Sequence, residues 1–100
     1  MQRTIRILGV PMDLGQNRRG VDMGPSAVRY AHLQARLERL GHVVHDAGNV
    51  SAPNPEEHIV ESADDRLRAV AGVCRAVYEA ACPWLAAGDF GVFLGGDHSI

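Results

Sequence analysis

Three side chains that could hold a metal ion, Asp97, His98 and Ser99, lie near the end of the sequence. They follow the run 90–94, which is apolar throughout and typical of a strand buried on both faces of a parallel sheet. The glycine pair 95–96 then lets the backbone turn sharply. The three side chains are therefore predicted at the carboxyl end of this strand, where open α/β sheets bind ligands. Mn²⁺ and Zn²⁺ both accept carboxylate and imidazole, and residue types alone do not choose between them.

These residues also have a simpler interpretation. A Gly-Gly pair followed by Asp and Ser is a common strand-to-helix turn, in which Asp97 or Ser99 caps a helix that begins just past Ile100. On residue chemistry alone, capping is the default, and a metal role for His98 rests on the carboxyl-end rule.

A long loop with several glycines is the second candidate for function. Residues 12–24 exceed the roughly two to six residues usual between a strand and a helix. If the strands are parallel, this loop leaves the same sheet edge as His98, so Arg18 and Arg19 are candidates for a pocket rim. The alternative is that both are solvated or paired on the surface, the commonest state of Arg. The glycines fit neither the P-loop nor the dinucleotide pattern, which argues against nucleotide binding.

The first half of the chain predicts a strand, a helix and a second strand. Thr4 to Val10 is β-branched and apolar, as expected of a strand. Gly-Pro at 24–25 starts a helix expected to run to residue 40, where Gly41 ends it. Its apolar stripe is predicted to consist of Tyr30, Leu33, Leu37 and Leu40. His32 on this helix is interpreted as structural or solvated.

A short second strand is predicted at 42–46. His45 and Asp46 there are polar neighbours on one strand, so their side chains point to opposite faces and cannot both reach one metal without a bend. The segment 51–61 contains two prolines and three acids and is interpreted as a surface loop, with His58 exposed.

A long second helix is predicted before the final strand. Asp64 and Asp65 lie at its positive end, where the helix dipole favours acids. Pro83 is expected to kink or restart this helix. Its apolar face is predicted to comprise Leu67, Val70, Ala71, Cys74, Val77, Tyr78, Ala81 and Leu85. The resulting β-α-β-α-β order predicts a three-layer α/β/α sandwich with a mostly parallel sheet.

The composition excludes several classes of protein. Of 100 residues, 46% are hydrophobic and 22% charged, with a formal net charge of -2, as in an ordinary folded domain or part of one. The sequence lacks a basic stripe with interleaved aromatic residues, which argues against a nucleic-acid partner. It also has no apolar run that approaches the ~20 residues of a membrane span. Cys74 and Cys82, eight residues apart on one predicted helix, are too distant for a disulfide. Reduced cysteines and the absence of a signal-peptide cleavage site indicate a cytoplasmic protein.

Two blocks of the sequence resemble a known family. Gly-Val-Pro-Met-Asp-Leu-Gly-Gln-Asn-Arg-Arg-Gly-Val-Asp-Met-Gly-Pro-Ser-Ala-Val-Arg at 9–29 and Gly-Gly-Asp-His-Ser at 95–99 are similar to the amino-terminal third of bacterial-type arginases. The second block alone indicates only the wider ureohydrolase family, and the first block points to arginase. The resemblance covers essentially all 100 residues.

The resemblance implies a binuclear Mn²⁺ enzyme that hydrolyses L-arginine to L-ornithine and urea. It assigns His98 as a direct ligand of one manganese ion and Asp97 as a group that shapes the loop around that ligand. Arg18 matches an arginine near the family's pocket. In such enzymes a hydroxide bridging the metals attacks the guanidinium carbon. The resemblance also suggests a homo-oligomer, a trimer or hexamer.

The sequence departs from the family pattern in one respect. The Asp-Ala-His-x-Asp and later Asp-x-Asp stretches that supply the other ligands do not occur in these residues. We therefore expect the chain to be the amino-terminal part of a single arginase-like domain, with the remaining ligands elsewhere, and to be inactive alone. Two alternatives stay open: an agmatinase or another ureohydrolase that acts on a guanidino substrate, and a non-catalytic module with the same fold.

Overall fold

The computed structural model describes residues 2–12, 23–51 and 63–96. Three strands form one sheet: β1 (Thr4–Val10), β2 (Val43–Asn49) and β3 (Phe90–Gly95). The helices are α1 (Gly24–Tyr30), α2 (Leu33–Arg39) and α3 (Ala63–Ala86). The first strand has the predicted bounds, and the second extends three residues beyond its predicted end.

The sheet is parallel, with the strand order β2-β1-β3. In the paired register, Ile7 of β1 lies beside Asp46 of β2 on one side and Val92 of β3 on the other. All three carboxyl ends therefore meet at one edge, as the β-α-β-α-β order predicts.

Helices cover the two faces of this sheet through separate apolar clusters. On one face, Ile5, Ile7 and Val44 are buried beneath Leu33 and Leu37 of α2. On the other, Val10 and Met12 are buried with Val73 of α3. Side chains alternate along β1, so one strand supplies both clusters. The α/β fold predicted from the sequence is confirmed for the part of the chain that the structure describes.

The prediction of one helix over 24–40 is wrong. The chain leaves helical geometry at His32, whose φ of 66° lies in the left-handed region, and α1 and α2 are separate helices. The break turns the second helix so that Leu33 and Leu37 pack on the sheet, whereas Tyr30 and Leu40 from the predicted stripe are exposed.

The second predicted helix differs from expectation in two ways. Asp64 and Asp65 lie in its first turn as predicted, but the helix continues past Pro83 to Ala86, so the predicted restart is wrong, and the predicted kink stays a prediction. Pro83 removes only one backbone donor, close to the helix end, which limits its cost. Val73, absent from the predicted face, is its most buried residue, while Leu67, Tyr78 and Leu85 are exposed.

The last strand is less buried than its sequence predicts. Phe90 is 49% and Phe93 38% exposed, and β3 lies at one side of the sheet, whereas β1 is central. The expectation of a strand covered on both faces is therefore wrong within the described residues. An apolar sequence allows a strand to be buried, but the position of the strand in the sheet determines how much of it is buried.

Two further observations concern the cysteines and the possibility of a membrane-spanning helix. Cys74 and Cys82 do not form a disulfide with each other, as predicted. Within residues 2–12, 23–51 and 63–96, no helix has both the length and the apolar character needed to cross a bilayer.

Candidate functional site

The carboxyl ends of β1 and β3 lie side by side and form the candidate site. Val10 and Gly95 are paired in register, and the Gly96 amide donates to the Val10 carbonyl at 3.1 Å. The Met12 amide also donates to that carbonyl, at 2.7 Å, so the chain turns directly after β1. Carboxyl ends of parallel strands are where open α/β sheets bind ligands.

The start of α1 lies against the same edge. Pro25 is fully buried, and α1 contacts β3. A Cβ on Gly24 would lie 2.6 Å from the Gly95 carbonyl oxygen, closer than real Cβ atoms approach oxygen. Only glycine allows this approach, which brings the beginning of α1 to the end of the last strand.

The predicted site residues Arg18, Asp97 and His98 lie outside the described residues. The described residues that flank these segments, Met12, Gly24 and Gly96, lie at one edge of the sheet. Segment 13–22 runs from Met12 to the start of α1, and residues 97–100 follow Gly96. Because Gly24 touches Gly95, both segments are attached at one edge. The roles assigned to the three residues remain predictions.

A network around Arg29 occupies the neighbouring end of β2. The Arg29 guanidinium donates to both Asp46 carboxylate oxygens, from Nε at 2.8 Å and from Nη2 at 2.9 Å. It also donates to Asn49 Oδ1 at 2.5 Å and to the Gly48 carbonyl at 3.0 Å. We call these four residues the Arg29 clamp. Two bonds to one carboxylate are the strong fork geometry available to Arg and not to Lys.

The clamp also sets the electrostatics of Asp46. Its hydrogen bonds to Arg29 hold the pKa of the Asp46 carboxyl below its ordinary value, helped by the Gly48 amide, which donates to Oδ1 at 2.8 Å. Partial burial acts in the opposite direction but is outweighed. The carboxylate is committed to these donors, and His45 lies on the opposite face of the strand.

No group of three His, Cys, Asp or Glu side chains able to hold a metal occurs in the described ranges. These ranges therefore do not supply a metal site by themselves, and any such site would need residues outside them. What the described residues do supply is the frame of the edge: two strand ends, a helix start and the clamp.

The sequence interpretation missed Arg29. It lies near the end of α1, and its partners are 17 to 20 residues away in the sequence, on another element. The available signal was the Asp-Ala-Gly-Asn run at 46–49, since Asp before Gly favours a local turn in which the carboxylate accepts from a backbone amide.

Comparison with known proteins now identifies the family. The model of the arginase family matches residues 3–100. The chain belongs to the arginase family. Among characterised arginases, that of Bacillus caldovelox is 48% identical over 98% of this chain and that of Brevibacillus brevis 44% identical over all of it. The matches cover 33% and 34% of those two proteins, so the chain spans about a third of their length.

Solved arginase structures agree with this assignment. The native arginase from Bacillus caldovelox at pH 5.6 superposes with a TM-score of 0.84 and 46% identity, covering 96% of this chain and 33% of that one. Arginase from Bacillus subtilis gives a TM-score of 0.81 with 40% identity, over 98% of this chain and 31% of that one. The three-stranded sheet is thus an arginase-like fold, present in part.

Proposed function

We propose that these residues belong to an arginase, which hydrolyses L-arginine to L-ornithine and urea with manganese as its cofactor. The observation that carries the proposal is the 48% identity to the Bacillus caldovelox arginase over nearly the whole chain. The frame at the carboxyl edge supports it, because it attaches the two segments with the family's motifs at one place.

The proposal gives each predicted site residue a role. His98 binds one Mn²⁺ ion, Asp97 holds the loop that presents it, and Arg18 lies at the pocket rim. Two bound metal ions would make a water molecule acidic enough to attack at neutral pH. Arginine and manganese are both cationic, so the complete site needs several carboxylates to offset their repulsion.

The rest of the proposal concerns the whole protein. Because the chain spans about a third of its relatives, we infer that residues 1–100 form the amino-terminal part of one arginase-like domain. The exposed Phe90 and Phe93 of β3 support this, since further sheet or helix would cover them. The protein is proposed to be cytoplasmic and a trimer or hexamer, which light scattering after gel filtration measures.

Side-by-side assays test the function. The complete protein that contains residues 1–100, supplied with Mn²⁺, should release urea from L-arginine and little from agmatine. The His98→Ala variant should lose bound manganese, measured by elemental analysis after dialysis, and activity, while His45→Ala, on the exposed part of β2, should keep both. A preference for agmatine would instead indicate an agmatinase. A protein without manganese or turnover would be a non-catalytic module.

A further inference from the structure

Helix α1 contacts both outer strands of the sheet, β3 through its first residue and β2 through the Arg29 side chain. Its seven residues give a length of about 10 Å. In the order β2-β1-β3, the outer strands are two strand spacings apart, also about 10 Å. Gly24 meets the end of β3 at one end of α1, and near its other end Arg29 binds residues of β2. The helix and the Arg29 side chain together bridge the two outer strands.

The side chains of the Arg29 clamp pass over β1 at Gly9 and leave no room for a side chain there. A Cβ on Gly9 would overlap the Asn49 side-chain oxygen and would come within 3.0 Å of Arg29 Nη1. The guanidinium and its Asn49 partner thus lie directly against the β1 backbone. Contact with the central strand fixes the height of the clamp above the sheet as well as its position along β2.

Apolar burial contributes little to holding α1 in place. Pro25 is its one buried residue, while Val28 and Tyr30 are exposed. A seven-residue helix is also too short to be stable on its own, so tertiary contacts must position it. Near the β2 end, those contacts are the four hydrogen bonds that Arg29 donates.

We propose that Arg29 is a positioning residue for the active site of this arginase-family protein. By fixing α1 to β2, it keeps Gly24 against Gly95 and so holds the start of α1 at the carboxyl ends of β1 and β3. Arg29 acts through the helix and touches neither substrate nor metal. This proposal rests on the proposed function, because it takes the carboxyl edge of the sheet as the catalytic edge.

Three variants of the complete protein test the role, with one control. Arg29→Met removes the fork, Asp46→Asn weakens its acceptor, and Arg29→Lys keeps the charge without the fork. A displacement of about 1 Å at reacting groups lowers turnover about 100-fold, so we expect a loss of that order in kcat for Arg29→Met with a smaller change in KM. Arg29→Lys should fall between it and the parent protein. Arg36→Met, on the exposed side of α2, should match the parent.

Amide hydrogen exchange separates positioning from general stability. The Gly96 amide, which donates to Val10 at the carboxyl edge, should lose protection in Arg29→Met, while the Val43 amide, bonded to Arg3 at the opposite edge, should not. Equal loss at both amides, or a lower Tm with unchanged kcat, would overturn the proposal. If the parent protein hydrolyses no arginine, the proposed function fails, and the exchange pattern still shows whether Arg29 fixes this edge.

Discussion

The two ends of the sheet each carry an arginine–aspartate pair, and the pairs differ in what they hold. At the amino end, Arg6 of β1 donates a single bond of 3.0 Å to Asp89, the residue before β3. At the carboxyl end, Arg29 makes two bonds to Asp46 and two more to Asn49 and Gly48. Among the residues that the structure describes, Arg6 makes one side-chain hydrogen bond, whereas Arg29 uses each of its three nitrogens.

The elements that each pair joins explain this difference. Arg6 and Asp89 link β1 to β3, two strands already aligned by their backbone ladder, so the pair adds no new alignment. Arg29 links a short, poorly buried helix to a strand that would not otherwise fix it. The pair that makes more hydrogen bonds is thus the one that positions a weakly anchored element. The larger network lies at the edge where the proposed active site forms.

Substituting each arginine by Met should expose this difference most strongly. Arg29→Met removes four hydrogen bonds, each contributing about 0.5–1.5 kcal/mol, and because solvent partly screens the pair we expect a loss at the lower end of their sum, about 2–3 kcal/mol in the free energy of unfolding. Arg6→Met removes a single bond between side chains that are 33% (Arg6) and 16% (Asp89) exposed, and should cost about 0.5 kcal/mol. Urea denaturation followed by circular dichroism measures both, and equal losses would contradict the comparison.

Substitutions of two separate glycines, Gly24 and Gly72, test the next largest effect. Gly24→Ala places a methyl group 2.6 Å from the Gly95 carbonyl oxygen, and forced shifts of this kind cost about 2 kcal/mol. Gly72→Ala in α3 is the matched control, because its Cβ would meet nothing within 4 Å. That change should raise the free energy of unfolding by about 0.5–1 kcal/mol. Similar destabilisation in both variants would argue against close contact between α1 and β3.

The sequence predicts the parts of this edge that depend on local patterns. The β-branched run Thr4–Val10 gave the bounds of β1, and the glycines at 24 and 95 marked the start of α1 and the end of β3. Parallel pairing followed from the order of strands and helices. Each of these features is set by neighbouring residues, either through their backbone preferences or through their alternation, and the structure agrees with them.

Features that depend on distant residues could not be predicted in this way. His32 leaves helical geometry although neither Gly nor Pro lies beside it, because docking of Leu33 and Leu37 on the sheet decides the path of the chain. Likewise, Arg29 was one of several arginines on a predicted helix. Its distinction comes from Asp46 and Asn49, which only the folded sheet brings within reach.

Lowering the pH should weaken the ion pair between Arg29 and Asp46. We expect this effect on stability to be smaller than the effects of the arginine and glycine substitutions. Because folding lowers the pKa of Asp46, its stabilising contribution is complete above the ordinary pKa of an Asp carboxyl, about 4, and is lost as pH falls through the lowered value. Asp46→Asn has no such proton to bind, so it should be less stable than the parent at about pH 7, with a difference that shrinks on acidification.

Urea denaturation of both proteins between about pH 7 and about pH 2 measures that difference. Solvent reaches the pair, whose side chains are 25% and 24% exposed, and screens it, which keeps the change modest. Asp89→Asn at the opposite end is the matched control. A difference between parent and Asp46→Asn that stays constant with pH would mean that Arg29 holds the neutral and charged forms of Asp46 equally well. The clamp would then depend on shape alone, and its charge would not contribute.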